Sequence, residues 1–409
     1  MNRLFAAAIG LPLLVSAVPA QADWITTWTA APLPPNPGPG PSATPGWTNR
    51  TIRQTLRLSA GGTALRVRLT NAFGGAPLKV GAARIALLDD SGKEVPGSAH
   101  MLRFGGAGGV TIPRGAPMVS DAVKLDVPAL ARVSLDLYFP DATGPCTCHQ
   151  AGLDTGLVSP EGDFSGMEFT PEAKIQSRPF IAGVEVDAAK GAATVAVIGD
   201  SISDGIGSTS GANRRWPDFL AARLAARKGT IWGVANQGIS GNRVINDGAG
   251  EAAVTRLDRD VLAMPGVKAI IVFEGVNDLG VAFGPPRPGP AGAPPRPAAT
   301  PITAQDVING YRQIITRAHA KGIKVYGATI APYKGAGYWS ESGEAARQEI
   351  NGFIRTSKAF DAVLDFDKVI RDPQDPASMR ADYHMGDHLH GNDAGYKAAG
   401  NSIDLKLFR

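Results

Sequence analysis

The run Val195-Ala-Val-Ile-Gly-Asp-Ser201-Ile-Ser-Asp-Gly205 constrains this chain more than any other stretch. Four apolar, largely β-branched residues in a row are too short for a helix and predict a strand buried on both faces. A tight turn carries Ser201 directly after it. Beyond a polar, Gly-containing loop, Trp216, Phe219, Leu220 and Leu224 fall on one stripe of a helix. A serine between such a strand and helix lies where open α/β sheets place their ligands. Gly-Asp-Ser also occurs in ordinary turns, so the rest of the chain must decide whether it does chemistry.

The pattern around this run is alternating strand and helix. Strands are predicted at Thr194 to Ile198, Ile231 to Asn236, Ala269 to Phe273, Lys324 to Ile330 and Val363 to Asp365. Helical patterns lie at Trp216 to Arg227, Glu251 to Leu262, Asp306 to Lys321 and Gly343 to Ser357, with a last one from Asp393 to Leu407. Thr303 with Asp306 three residues on reads as a helix cap, and Gly322 as its stop. Five strands alternating with helices imply a three-layer, mostly parallel α/β domain over 189–409.

The preceding segment, 23–188, has a period of two. Leu65, Val67 and Leu69 alternate with Arg66, Arg68 and Thr70, and Val133, Leu135 and Leu137 with Ser134, Asp136 and Tyr138. With Gly-rich turns such as Ser59-Ala-Gly-Gly62, this predicts an all-β sandwich of jelly-roll type. It would pack as a second layer, bind substrate, or lend loops to the site. The proline-dense segment 284–297 can neither continue a helix nor pair in a ladder, which predicts a surface loop near the third strand's end.

At the N-terminus, Arg3, the apolar run Leu4 to Val18 and Ala20-Gln21-Ala22 predict a secretory signal peptide over 1–22 and a secreted or periplasmic protein starting near Asp23. The run is short for a membrane anchor. A formal charge of +4 without any basic block argues against nucleic acid as a partner. The two cysteines, Cys146 and Cys148, sit beside His149. A local disulfide or two free thiols fits them better than a metal site, which would lack a fourth ligand; in a strand, their spacing lies near the upper limit for a bridge.

Three more motifs follow strand ends or precede the last helix: Asn236-Gln-Gly-Ile-Ser240-Gly241-Asn242, Glu274-Gly-Val-Asn277-Asp278, and Gly386-Asp387-His388-Leu-His390. Together with Gly199-Asp-Ser201, and in this order, they resemble the SGNH hydrolase superfamily, the GDSL esterases and lipases. The resemblance covers Thr194 to the end, and the N-terminal region resembles the β-sandwich that precedes the catalytic domain in a secreted bacterial subfamily. It implies a flavodoxin-like αβα domain, with Ser201 as nucleophile, His390 as general base and Asp387 orienting it. It implies an oxyanion hole of the Ser201 and Gly241 N–H groups and the Asn277 amide. One departure is Gly391, where the family usually has proline.

The chemistry agrees with that reading. A serine hydroxyl needs an adjacent imidazole to take its proton, and the imidazole needs a partner on its other nitrogen. His388 and His384 compete with His390 as the base, but the Asp-x-x-His spacing favours His390. Asp200 is expected to hold the turn rather than serve as the triad acid. Tyr333, Tyr338 and Trp339, after the fourth strand, are candidates for an aromatic substrate wall. The expectation is an exported esterase that needs no cofactor or metal, acting on short acyl or acetyl esters, on carbohydrates among others. A lipase or phospholipase is the alternative; so, in another class, is a carbohydrate-binding protein with an inactive hydrolase domain. A nucleotide-binding module is disfavoured, since no Gly-x-Gly-x-x-Gly opens a helix there and there is no P-loop.

Overall fold

The structure, a computed structural model, describes residues 23–36, 44–285 and 302–409. The predicted signal peptide and all but the first two residues of the segment 284–297 lie outside the described residues.

The N-terminal part is all-β. In one antiparallel sheet Asp23–Thr29 pairs with Ile181–Ala188, which pairs with Gly62–Thr70; Pro117–Val119 and Val123–Val127 both continue along the far side of that strand. The other sheet runs Ala173–Ile175, Gly156–Glu161, Arg50–Arg57, Arg132–Phe139, Ala82–Leu88, His100–Met101. The alternation seen in the sequence sorts the two faces. Leu65, Val67, Leu69, Val133, Leu135 and Leu137 point into one shared core with Ile52, Leu56, Ile85 and Val184. Arg66 and Arg68, on the opposite face, both reach Glu185 of the neighbouring strand, at 2.5 and 2.6 Å. Glu185 is itself buried, so its charge is held by paired guanidiniums rather than by water. The Ser59–Gly62 turn joins strands of different sheets; it carries the chain from one layer to the other and does not close a hairpin.

In the C-terminal part five parallel strands lie in the order Trp232–Gly238, Ala193–Gly199, Val267–Phe273, Lys324–Ala328, Ala362–Leu364. Ala193–Gly199 is buried along its whole length, as a central strand must be. The second strand lies on one side of it and the third on the other, so the chain switches direction of travel at the end of the first strand and opens a crevice there. Register places Gly199 opposite both Gly238 and Phe273, which brings the loops after three strands to one edge.

Helices cover the sheet. Trp216–Ala225 packs with Asp393–Ser402, and Ala304–His319 with Glu341–Thr356. The Thr303–Asp306 capping box is present. A helix at Val276–Ala282 stands where the sequence reading had only a loop motif. Seven residues starting after Gly275, whose φ is 123°, give too few turns for periodicity to register. The fourth strand ends at Ala328, two residues early, because the Asn351 side chain takes the Ile330 N–H and C=O in place of a neighbouring strand.

Gly199 and Gly238 let the serine's turn sit directly on the sheet edge. A Cβ on Gly238 would come within 2.5 Å of the Asp204 nitrogen and 2.8 Å of the Ser203 carbonyl carbon, both backbone atoms. Gly238→Ala is therefore expected to destabilise the fold by about 1–3 kcal/mol, the usual cost of overpacking. Gly337→Ala, where an added Cβ meets nothing within 4 Å, is the control. Differential scanning calorimetry compares them; equal midpoints would refute the crowding argument.

Candidate active site

Ser201 opens a single helical turn, Ser201–Asp204, capped by Asp200, whose carboxylate accepts the Ile202 N–H at 2.9 Å. Two more side chains fix the turn. The Asn236 amide donates to the Ser203 carbonyl at 2.7 Å, and the Trp216 indole N–H to the Ser203 hydroxyl at 3.3 Å. Ser201 is nearly buried, at 5% exposure, so little water competes for its hydroxyl.

His390 Nε2 lies 2.8 Å from Ser201 Oγ, and its Nδ1 lies 2.6 Å from Asp387 Oδ2. The other oxygen of Asp387 accepts the N–H groups of Leu389 and His390 at 3.0 and 2.9 Å. Partial burial works against the Asp387 carboxylate, but the backbone and ring N–H groups of His390 and the Leu389 N–H outweigh it and hold its carboxyl below the ordinary value. An ionised carboxylate only accepts, so Nδ1 carries the proton and Nε2 is left to accept from the serine. His388 is turned elsewhere. Its φ is 60°, and its ring stacks 4.4 Å from that of His384, whose Nδ1 accepts the Gly386 and His388 N–H groups. At Gly391 a Cβ would meet the Tyr396 ring at 2.8 Å, and the Tyr396 hydroxyl donates to the Ile206 carbonyl at 2.5 Å. A packed tyrosine ring thus occupies the space beside this glycine.

The oxyanion-side residues converge on the same edge. Gly241 has a φ of 79°, which favours glycine. Asn277 donates from Nδ2 to the Asn242 carbonyl at 3.0 Å, and the Tyr338 hydroxyl lies 3.5 Å from its Oδ1. An N–H-rich edge beside a hydroxyl–imidazole–carboxylate chain can deprotonate a nucleophile and receive negative charge on a nearby oxygen.

The aromatic wall is a correction. Tyr333 is fully buried and Tyr338 nearly so, with their rings 5.7 Å apart inside the α/β core; Trp339 packs on that core half-buried. The Tyr338 ring fits tightly against Gly280 and the Tyr333 hydroxyl against Gly343, and apolar area together with this close fit holds both rings inside the core. What lies open beside the site is a groove of about 440 Å³ lined by Leu33, Pro34, Asn36 and Gln150 of the β-domain, by Asp204 and Ser240, and by residues 248–250. Cys146 and Cys148 are joined, with Cα atoms 5.4 Å apart, well inside the limit expected for a strand, because Cys146 and Thr147 precede the short strand Cys148–His149 and are not part of it. His149 faces Ala31 and Asp204, so its ring nitrogens are not available to the partial metal site considered from the sequence.

Arg256 and Glu274 escaped the sequence reading. Arg256 is fully buried and donates to the Asn242 side chain and to the carbonyls of Gln237 and Gly199, at 3.0, 2.7 and 3.2 Å. Glu274 is buried with neither carboxyl oxygen hydrogen-bonded. Burial, with Asp200 next, raises its carboxyl well above the ordinary value; burial likewise raises Asp200 to about 7 and Asp278 to about 6.

Residues 197–398 match the family model described as GDSL-like lipase/acylhydrolase, and the α/β domain of this chain belongs to that family, within the SGNH hydrolases. Similar solved structures include a G-D-S-L family lipolytic protein from Desulfitobacterium hafniense, 20% identical, covering 51% of this chain and 96% of its own, with a TM-score of 0.37. A lipase/acylhydrolase from Enterococcus faecalis is 17% identical over 53% of this chain and 95% of its own, with a TM-score of 0.39. A carbohydrate acetylesterase from Sinorhizobium meliloti is 18% identical over 53% and 98%, also at 0.39. No curated protein matches the chain.

The raised carboxyls set a sign for stability against pH. The folded chain keeps protons on Glu274, Asp200 and Asp278 that the unfolded chain has released above about pH 4, so stability falls as pH rises, by at most about 1.4 kcal/mol per unit for each group. For Asp278 and Asp200 the fall ends near pH 6 and 7. In Glu274→Gln the decline of the melting midpoint from about pH 5 to 8 is expected to be shallower than in the wild type. Equal slopes would mean that Glu274 ionises as freely folded as unfolded.

Proposed function

We propose that this protein is an exported serine esterase that hydrolyses short-chain acyl or acetyl esters through an acyl-enzyme. The hydrogen-bonded chain Ser201–His390–Asp387 carries the reading. His390 takes the Ser201 proton as Oγ attacks the ester carbonyl, then delivers it to the leaving alcohol; water repeats the sequence and frees the acid. Asp387 holds the imidazole in the required tautomer and offsets its charge. The N–H groups of Ser201 and Gly241 and the second N–H of Asn277 receive the oxyanion.

The groove supports a leaving group larger than methanol or ethanol. Prolines and a leucine offer flat apolar surface beside the amides of Asn36 and Gln150, a mixture suited to a sugar ring. Export is supported by the leader pattern of residues 1–22 and by a disulfide, a bond that persists in oxidising compartments.

Hydrolysis of p-nitrophenyl acetate, butyrate, octanoate and palmitate by the chain from Asp23 tests the proposal. Activity is expected to fall with chain length and to drop by a factor on the order of 10³ to 10⁶ in Ser201→Ala with the fold intact. Asn277→Ala is expected to cost about 10² to 10³ in kcat. Full activity in Ser201→Ala would overturn the mechanism, and a rise with chain length would overturn the substrate class in favour of a lipase.

A further inference from the structure

Asp204 closes the one-turn helix that Ser201 opens, and its carboxylate is buried, at 3% exposure. One oxygen accepts both the N–H and the hydroxyl of Ser240, at 3.0 and 2.7 Å. Ser240 precedes Gly241. A single carboxylate therefore ties the serine's turn to the loop that presents the Gly241 N–H.

The other oxygen of Asp204 belongs to a different partnership. It lies 2.9 Å from Nε2 of His149, a buried residue of the β-domain, whose Nδ1 lies 3.1 Å from the Ala31 carbonyl. The carbonyl can only accept, so Nδ1 carries a proton. Two lone pairs cannot face each other at 2.9 Å, so a second proton lies between Nε2 and Asp204. Whichever atom holds it, the carboxylate is fixed by three hydrogens: one shared with His149 and two from Ser240. The position of His149 is set in turn by the chain around it. Cys148, next to it, is bonded to Cys146, and Cys148–His149 pairs with Arg178–Pro179.

We infer that His149 is a positioning residue of the active site: through Asp204 and Ser240 the β-domain sets the spacing between the Ser201 nucleophile and the Gly241 oxyanion donor. The inference rests on the esterase reading above and goes beyond it, since it gives the N-terminal domain a part in the reaction that does not depend on substrate contact. Without His149, Asp204 is a buried carboxylate short of one donor, free to turn towards other N–H groups and to release Ser240. An oxyanion donor displaced by a fraction of an ångström loses transition-state stabilisation while the substrate still binds.

Simple domain adhesion would also place polar bonds here, and kinetics separates the two roles. The substrate is p-nitrophenyl acetate, too small to need the neighbouring groove. His149→Ala and Asp204→Asn are each expected to lower kcat by about tenfold to a hundredfold, less than loss of a direct oxyanion donor, with KM within about threefold. The double variant should be no slower than the slower single one, because both cut the same chain. His149→Gln, which can still offer an N–H to Asp204, should recover part of the loss, and it carries the test where His149→Ala does not fold. Ser59→Ala is the adhesion control. Ser59 accepts the Val234 N–H across the same domain junction and donates to the Thr27 carbonyl within its own domain, but bonds none of these groups, so the melting midpoint of the variant should fall with kcat unchanged. Wild-type kcat in folded His149→Ala and His149→Gln, additive losses in the double variant, or an equal loss in Ser59→Ala would overturn the inference alone. A wild type without Ser201-dependent turnover would overturn the esterase reading, and this inference with it.

Discussion

A parallel sheet creates the site and also its main physical problem. Where the strands end, their last carbonyls lose ladder partners in a region too buried for water. Arg256 adds donors at the ends of the first and second strands, reaching the Gln237 carbonyl and, alongside the Ile239 N–H, that of Gly199, while its Nε holds the Asn242 side chain. Arg347, equally buried, does the same after the fourth strand, donating to the Ile330 carbonyl and to Asp367. A guanidinium suits the task because five donors spread over a rigid plane can reach acceptors on separate elements at once. Take away Arg256 and the two strand ends and the Asn242 loop, which together define the site's edge, lose their common partner.

That solution brings charge inside, and the surrounding carboxyls carry the cost. Arg256 has Asp260 at 3.5 Å as its ion-pair partner, while Asp200, Glu274 and Asp278 crowd the same interior. Burial favours the neutral form of these acids, and the charges of neighbouring acids add to the effect at Asp200 and Glu274. Asp387 stands in contrast at the exposed rim, ionised by the donors around it. Burial thus biases the interior carboxyls towards the neutral form, whereas the donors around Asp387 favour its charged form beside the imidazole.

Much of this was legible in the sequence because it is local. Four apolar residues before Gly199 could only be a buried strand, and the Thr303 cap and the alternations at Leu65 and Val133 each rest on neighbours a few residues apart. The meeting of Ser201 with His390 was legible only through resemblance to a family, since 189 residues separate them. Tyr333 and Tyr338 were misread because an aromatic after a strand end has the same signature whether it faces the crevice or the core; the small residue that accepts the Tyr338 ring, Gly280, lies more than fifty positions away. His149 could not be paired with Asp204 by any periodicity. It reaches across from the other domain.

That last contact belongs to a broader seam. Thr26 exchanges hydrogen bonds with the Thr194 side chain, Thr29 donates to the Asn236 carbonyl, and the Val234 N–H is taken by Ser59. The strand Trp232–Gly238 is an edge of the parallel sheet, and an exposed edge invites unwanted pairing. Here the first strand of the β-domain lies against it, so closely that a Cβ on Gly233 would come within 2.2 Å of the Thr26 carbonyl oxygen. The same edge strand supplies Asn236, which holds the serine's turn, and leads into Ser240 and Gly241. Cover for a vulnerable edge, given by Ser59 and Thr26, and the separate His149–Asp204 contact to the Ser201 turn therefore lie along one interface.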